Sequence, residues 1–311
     1  MDWSIKNWRR RYILRHAVLP EEAWCAAVST LPVLRGLSEE EMERLRKLAT
    51  LFLNEKQLVA AGGFSVDEDM RIKIAAQACL PILNLGLDCY AGWVSVIVYP
   101  GEFVPEHEFM DEAGVVHVVR DAMLGESWEH GPVVLSGADA VRGGEHDGVN
   151  GQGKNDTLND ETCHARFPHP NPLPQAGEGA NESLREFHVN VVIHEFAHKL
   201  DMLNGAMNGF PPLHREMSSE RWAQSFTAAY ADFCAKAEKN METALDPYGA
   251  ESPAEFFAVT SEAFFETPHV LQREYPDVYR QLAEFYRQDP AARRTAEAKN
   301  PGAQNPEARC A

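Results

Sequence analysis

Cysteine is scarce in this sequence, with six residues in 311. None of the six forms a Cys-x-x-Cys pair, which is the spacing typical of cysteine-rich zinc modules. A chain of this length also has no need of a disulfide framework to compensate for a small core. The sequence therefore predicts reduced, mostly buried thiols, and it argues against a cysteine-rich structural metal module.

Positive charge and long apolar runs are also in short supply. Lys and Arg total 29 against 47 Asp and Glu, which gives a formal net charge of −18. Nucleic-acid backbones bind to clustered positive charge, so this balance disfavours a nucleic-acid partner. No segment reaches the roughly 18 apolar residues of a membrane span, and charged residues follow the basic start where a signal peptide would be apolar. We expect a cytoplasmic protein without a membrane partner.

The segments that are present predict an α+β fold. Residues 20–62 have helical character, and Ser38 with Glu41 forms a capping-box pattern before a helix expected to run to Ala61. Strand-forming segments at 93–99, 102–109, 115–120 and 132–136 predict a small mixed sheet of three or four strands. Further helices are predicted at 67–85, 186–204, 218–240, 253–267 and 270–288.

Residues 143–185 differ in composition from the rest of the chain. They are rich in glycine and proline, and the proline-rich stretch 169–174 cannot be helix or central strand. A long loop of this composition is typical of disorder. The predicted organisation is a helical region at 1–62 packed on the core, a main domain at 63–288 that contains this insert, and a flexible tail at 289–311.

One segment, His194-Glu195-Phe196-Ala197-His198, has the spacing of a metal-binding helix. Helical residues four apart project from one face, so both imidazoles could bind one ion, while the glutamate beside them could activate a metal-bound water. The competing interpretation is an amphipathic helix whose histidines happen to face outward. An apolar arc opposite the histidines favours the metal site, and it comprises Val192, Ile193, Phe196, Leu200 and Leu203.

A catalytic zinc site needs a third protein ligand and an open fourth position. A third histidine at the metzincin spacing would fall at Asn204, so that pattern is absent. A glutamate from a later helix is the other common solution, and Glu255 is the best candidate, with Glu262 as the alternative. Glu255 could equally be the capping-box partner of Ser252, and the residues alone do not decide between these roles.

Residues 194–202 (HEFAHKLDM), 248–259 (YGAESPAEFFAV) and, less closely, 64–79 with 99–104 resemble the Mlc titration factor A family of bacterial metallopeptidases. The catalytic core of anthrax lethal factor is similar in its Tyr-to-AEFFA segment. The resemblance implies a zincin-like domain of the gluzincin type at 63–288, with one Zn²⁺ per chain. The family usually has a short link before its zinc helix, and this sequence departs from that pattern through the insert.

The resemblance also implies roles for individual residues. His194, His198 and Glu255 correspond to the zinc ligands, Glu195 to the general base, and Tyr248 to the tyrosine that stabilises the oxyanion or protonates the leaving group. From the residues alone, Tyr248 could be an ordinary loop aromatic.

Two further carboxylates are candidates for supporting the metal site. Asp201, one turn beyond His198, could orient a histidine through its other ring nitrogen, or it could bind Lys199 or the following loop. Glu262 would support the site or anchor the helix if Glu255 is the ligand.

The function implied by the resemblance is hydrolysis of peptide bonds in a peptide or protein substrate, with aminopeptidase-like activity on small substrates. The alternative is a regulatory protein that binds and titrates a glucose-responsive transcriptional repressor, with hydrolysis secondary. A third possibility, a purely structural zinc site, predicts four protein ligands.

Overall fold

The computed structural model describes residues 2–101, 106–110, 116–120, 125–127, 131–142 and 190–299, all within one compact unit. The insert predicted at 143–185 lies outside the described residues. Within these ranges, no helix is long and apolar enough to cross a membrane.

Helices dominate the described part of the chain. They are α1 (Asp2–His16), α2 (Glu21–Val28), α3 (Glu39–Glu55), α4 (Glu68–Cys79), α5 (Gly137–Arg142), α6 (Val191–Asp201), α7 (Ser219–Glu238), α8 (Pro253–Glu266), α9 (Pro268–Glu274), α10 (Pro276–Tyr286) and α11 (Pro290–Lys299). The strands are β1 (Gln57–Ala60), β2 (Ser95–Tyr99), β3 (Glu106–Met110), β4 (Val116–Arg120), β5 (Gly125–Ser127) and β6 (Val133–Ser136).

The strands form two small sheets. The first has four strands in the order β1-β2-β6-β5, in which β1, β2 and β6 are parallel and β5 runs antiparallel to β6. The second is the antiparallel pair β3-β4. The prediction of a small mixed sheet is confirmed, although the segments predicted at 102–109 and 115–120 form the separate pair.

The capping box predicted at the start of α3 is confirmed. Ser38 Oγ accepts a hydrogen bond from the Glu41 N–H at 3.2 Å, and the Glu41 carboxylate accepts one from the Ser38 N–H at 2.8 Å. Two otherwise unpaired N–H groups are satisfied in this way, which fixes where the helix begins.

The predicted extension of this helix to Ala61 is wrong, because α3 ends at Glu55 and β1 follows. The N–H groups of Gln57 and Ala61 donate to the carbonyl oxygens of Val94 and Val98, both at 2.9 Å. Pairing with β2 therefore outweighs the local helical preference of this segment, which is a tertiary effect that the local sequence does not contain.

Prolines explain two other differences from the predicted helices. Helix α4 ends at Cys79 rather than at residue 85, because Pro81 has no N–H to continue the helical pattern. The single helix predicted at 270–288 is two helices, with Pro276 as the first residue of α10.

The predicted flexible tail also differs from the structure at residues 290–299, which form α11. Arg293 pairs with Glu41 at 2.9 Å, and Arg294 donates to a main-chain oxygen of α8 at 2.9 Å. These two contacts attach α11 to both the N-terminal helices and the helix that carries Glu255.

The prediction of reduced thiols holds for three of the described cysteines. Cys79, Cys89 and Cys234 are free. Cys25 is disulfide-bonded, so the prediction is wrong at this position.

Helix α6 is buried along its whole length, and it packs against α4, α8, β5 and β6. The ring of Phe196 lies 5.0 to 5.8 Å, centroid to centroid, from the rings of Phe52, Tyr90 and Trp93. This aromatic cluster fixes the rotation of α6 about its axis, and therefore the direction in which its histidines point.

The predicted apolar arc needs one correction, because Leu203 lies beyond the end of α6 and is exposed. The opposite face of the helix is buried too: His194 is 6% exposed and His198 is 4% exposed. The alternative in which these histidines merely face solvent is therefore wrong.

Candidate metal centre

Three side chains from two helices converge beside α6. The Nε2 atoms of His194 and His198, one turn apart on α6, are 3.1 Å from each other. Oε2 of Glu255, on the first turn of α8, lies 2.9 Å from the first of these nitrogens and 3.3 Å from the second. The three atoms thus surround one point between the helices.

These separations suit a metal ion. Zinc bonds of 2.0–2.1 Å in tetrahedral geometry place neighbouring ligand atoms roughly 3.3 Å apart. The three observed separations, 2.9, 3.1 and 3.3 Å, fall at or slightly below that value. Two imidazoles and a carboxylate are also a donor set that zinc accepts. His194, His198 and Glu255 could therefore hold a metal ion together.

Of the two roles that the sequence left open for Glu255, its side chain takes the one at the histidines and does not complete a capping box with Ser252. Its backbone N–H donates to Ser252 Oγ at 3.1 Å, so Ser252 caps α8. Its carboxylate turns instead to the two histidines of α6. The cap involves the main chain of Glu255 and leaves its side chain available to a metal.

Glu262, two turns after Glu255 on α8, contacts the other ring nitrogen of His194. Its Oε1 lies 2.6 Å from His194 Nδ1, and its Oε2 accepts a hydrogen bond from the Asn190 N–H at 2.8 Å. A carboxylate in this position fixes the tautomer and the orientation of an imidazole. The contact directs Nε2 of His194 toward Glu255.

Asp201 serves the following loop, which was one of its predicted alternatives. Its Oδ2 accepts a hydrogen bond from the Gly209 N–H at 2.7 Å. Gly209 has φ +75°, and a Cβ atom there would approach the carbonyl oxygen of Pro253 to 2.4 Å. Asp201 therefore holds a glycine against the first residue of α8, which helps to position the start of the helix that carries Glu255.

Glu195 is buried, at 4% exposed, and its Oε2 has no hydrogen-bond partner among the described residues. Burial raises the pKa of this carboxyl, and the nearby His194 and His198 oppose the rise. Its main-chain oxygen accepts a hydrogen bond from Ser127 Oγ at 2.9 Å. This contact joins α6 to β5, which is an edge strand of the four-stranded sheet.

Tyr248 lies beside the histidines, in the 3-10 turn Pro247–Ala250 that precedes α8. Its ring centroid is 6.0 Å from that of His194, and the side chain is 42% exposed. Burial of the hydroxyl and the charge of Glu255 both raise the pKa of Tyr248, so its phenol stays protonated at neutral pH.

Opposite charges shift the pKa values of His194 and Glu255 in opposite directions. Burial lowers the pKa of His194, but Glu255 and Glu262 outweigh it, and the net pKa is raised. Burial raises the pKa of Glu255, but its contacts with His194 and His198 outweigh it and bring the pKa to about 2. Protons and a metal ion therefore compete for the same imidazole nitrogens.

Comparison with known proteins matches the sequence of this chain to a family. The sequence model of the family described as "Glucose-regulated metallo-peptidase M90" matches residues 5–155 and 175–287. The chain belongs to the M90 metallopeptidase family. The family model leaves residues 156–174 unmatched, and they fall inside the proline- and glycine-rich insert at 143–185.

Curated relatives of this M90 protein are named "Mlc titration factor A". The relative from Cronobacter sakazakii is 33% identical over 288 residues, which is 92% of each chain. The relative from Pectobacterium atrosepticum is 33% identical over 274 residues, or 88% of each chain, and that from Escherichia coli O9:H4 is 34% identical over 291 residues, or 92% of each.

One residue of this M90 protein that sequence reasoning missed is Asn190. Its Oδ1 accepts a hydrogen bond from the Ile193 N–H at 3.0 Å and caps α6, while its Nδ2 donates to Gln77 at 2.9 Å and to Glu266 at 2.8 Å. An asparagine directly before an apolar helix is a recognisable capping signal. Its partners on α4 and α8 left no such signal in the sequence.

Proposed function

We propose that this protein is a zinc-dependent metallopeptidase of the gluzincin type that hydrolyses peptide bonds, with aminopeptidase-like activity on small substrates. His194, His198 and Glu255 would hold one Zn²⁺ per chain. The observation that carries the proposal is the convergence of three donor atoms at 2.9 to 3.3 Å next to the buried Glu195, whose Oε2 has no hydrogen-bond partner among the described residues.

We also propose a domain organisation and a cellular compartment for the protein. A zincin-like catalytic domain would span residues 63–288, with the helical region 1–62 packed on it. The protein would act in the cytoplasm, without direct contact with nucleic acid or membrane.

The chain's own residues would carry the proton transfers. Zinc, when bound, lowers the pKa of its water toward about 7 and polarises the scissile carbonyl. Glu195 would take the proton of the attacking water and return it to the leaving amine, and its raised pKa suits a group that must both accept and donate. Tyr248 would donate a hydrogen bond to the developing oxyanion or protonate the leaving group.

Strand β5 would help to bind the substrate. It lies at the edge of the four-stranded sheet, and Ser127 at its end contacts the main chain of Glu195. A peptide in extended conformation could add to this edge through main-chain hydrogen bonds. The scissile bond would then run past the converging donor atoms.

The decisive experiment combines metal analysis with a peptide-cleavage assay of the Glu195→Gln variant. We expect the parent to contain about one zinc per chain and to lose cleavage when a chelator is added. Glu195→Gln should retain the metal and lose about 10²- to 10⁴-fold in kcat, which is the usual contribution of a positioned base. Glu220→Gln, an exposed glutamate on α7, is the matched control. Cleavage that survives in Glu195→Gln would overturn the assignment.

The second candidate function is regulatory, and the name shared by the curated relatives favours it. The protein would bind and titrate a glucose-responsive transcriptional repressor of the Mlc type, with hydrolysis secondary. The Glu195→Gln variant separates the two functions. If the variant no longer cleaves peptides but still binds a purified repressor, then repressor binding does not require the catalytic glutamate.

The purely structural zinc site that the sequence left open is the weaker interpretation. It predicts four protein ligands, whereas three donor side chains converge among the described residues.

A further inference from the structure

A cavity of about 710 Å³ lies between α1 and the segment 90–93. Its size is within the range of small-molecule sites, which is roughly 300–1,000 Å³. The lining includes three cationic side chains (Lys6, Arg9 and Lys56), two aromatic rings (Tyr90 and Trp93) and one carboxylate (Glu55). A surplus of positive charge is notable in a chain whose formal net charge is −18.

The carboxylates near the cavity are already paired. Glu55 accepts from Arg10 at 2.7 Å, and Asp88 accepts from Lys6 at 2.6 Å and from Arg10 at 2.8 Å. Among the described residues, no carboxylate oxygen lies within 4.0 Å of the charged nitrogens of Arg9 or Lys56. The cavity therefore has two cations that, among the described residues, form no direct ion pair with a carboxylate, although Glu55 is near enough to Lys56 to favour its charge.

Lys56 is the more deeply placed of these two cations, at 5% exposed. Its ammonium donates to the main-chain oxygens of Tyr90 and Trp93, and it lies 3.8 Å from the centroid of the Trp93 ring. Lys199 lies over the same ring at 5.0 Å. Burial lowers the pKa of Lys56 to about 8; the charge of Glu55 opposes the lowering, and that of Lys199 adds to it.

A buried cation that is hydrogen-bonded only to main-chain oxygens is costly, and Glu55 offsets only part of that cost for Lys56. A further negative charge beside the ammonium would reduce it. Arg9 is exposed at the edge of the same cavity, where its planar guanidinium can form two parallel hydrogen bonds to a phosphate or carboxylate. Trp93 and Ile5 provide apolar surface for the rest of a ligand.

We propose that this cavity binds a small organic anion, with its phosphate or carboxylate group between Arg9 and Lys56 and a flat apolar part against Trp93. The site is separate from the converging histidines, and the proposal does not depend on the peptidase function. Trp93 also packs on Phe196 of α6, with 5.8 Å between ring centroids. The Trp93 side chain therefore lies between the cavity and the helix that carries His194 and His198.

The test is a calorimetric titration of the full chain with phenyl phosphate, benzoate and phenol at fixed ionic strength. We expect saturable binding, with one ligand per chain, of phenyl phosphate, benzoate or both, and no binding of phenol. The comparison of the two anions identifies whether the site prefers a phosphate or a carboxylate. If neither anion binds, or if phenol binds as tightly as the anions, the proposal is wrong.

Two variants and a matched control assign the binding to this cavity. Arg9→Gln and Lys56→Met should each weaken anion binding about tenfold or more, because each removes a charged hydrogen-bond donor. Arg11→Gln removes the same charge from an exposed position on the same helix, outside the cavity, and should bind like the parent. Because Lys56 is buried, a folding defect there is possible, and the exposed Arg9 then decides. Arg9→Gln with parental affinity, or an equal loss in Arg11→Gln, would contradict the proposal.

Discussion

Two buried polar clusters meet at α6, and they differ in how completely their atoms are paired. In the cluster around Asn190, both polar atoms of the side-chain amide form hydrogen bonds. The Oδ1 atom caps α6, and the Nδ2 atom donates to Gln77 and Glu266. In the cluster around the converging histidines, Glu195 Oε2, His198 Nδ1 and Asp201 Oδ1 lack hydrogen-bond partners among the described residues.

We infer from this difference that the Asn190 cluster holds the helices in place, whereas the cluster around the histidines has polar atoms free to react or to bind. An unpaired buried polar atom costs about 1–3 kcal/mol, so such atoms persist where the surrounding structure holds them in place. The Asn190 cluster provides that support, since it joins α4, α6 and α8 at one point. Glu262 belongs to both clusters, with one oxygen on His194 and the other on the Asn190 main chain.

The largest expected effect comes from removing a converging donor. Glu255→Ala should lower zinc affinity by more than the roughly 10- to 100-fold that loss of an outer partner typically costs, because a ligand atom itself is lost. Competition with a metal-binding dye measures this affinity. Ser252→Ala is the matched control: it removes the cap of the same helix, costs about 1 kcal/mol of stability and should leave zinc affinity nearly unchanged.

The opposite pattern would break the comparison. If Ser252→Ala loses zinc as severely as Glu255→Ala does, then the start of α8 controls the site, and the Glu255 carboxylate is not a ligand.

The next largest effect is expected at the fully paired cluster. Asn190→Ala removes the cap of α6 and takes the hydrogen-bond donor from the buried Gln77 and the half-buried Glu266, so it should lower the free energy of unfolding by about 2–4 kcal/mol. Urea denaturation of the metal-free protein measures this loss. Asn190→Ser can still cap the helix and should recover part of it.

The control for this cluster is Asp67→Ala, which removes a cap of the same kind from α4. Asp67 accepts from the Met70 N–H at 2.8 Å and is exposed, so the expected loss is only about 1 kcal/mol. Equal losses in Asp67→Ala and Asn190→Ala would mean that the hydrogen bonds to Gln77 and Glu266 contribute nothing measurable.

Glu262→Gln sharpens the comparison, because it changes the residue that the two clusters share. An amide has one acceptor oxygen, so the variant must lose either the contact with His194 or that with the Asn190 main chain. We expect zinc affinity to fall about 10- to 100-fold with all three converging donors retained. Glu266→Gln, one turn later on α8, should leave zinc affinity unchanged, and a loss there as large as in Glu262→Gln would contradict this role.

The sequence was more informative about the helix that carries His194 and His198 than about the residues that support it. The spacing of His194 and His198 and the cap at Ser252 are local, so pattern and helical geometry predicted them. The end of α3 at Glu55 could not be predicted from local pattern, because it depends on the pairing of the following strand, β1, with β2. The contacts of Asn190 with Gln77 and Glu266 span 113 and 76 residues of sequence, and no local pattern encodes contacts at that range.

The smallest expected effect is a pH dependence at Glu266. Burial raises the pKa of this carboxyl from 4.5 to about 7, and the charge of Glu262 adds to the rise, while Asn190 and Arg294 oppose it. The folded state therefore retains a proton that the unfolded state releases, and stability falls as the pH rises from 4.5 toward 7.

Glu266→Gln removes this titration and keeps the size of the side chain. Because Glu266 is partly exposed, we expect the parent to lose only about 1–2 kcal/mol more than the variant between about pH 5 and about pH 8. Urea denaturation of both proteins at the two pH values measures the difference. Identical pH dependence in the two proteins would mean that Glu266 titrates normally, and that the hydrogen bond from Asn190 is made to an ionised carboxylate throughout.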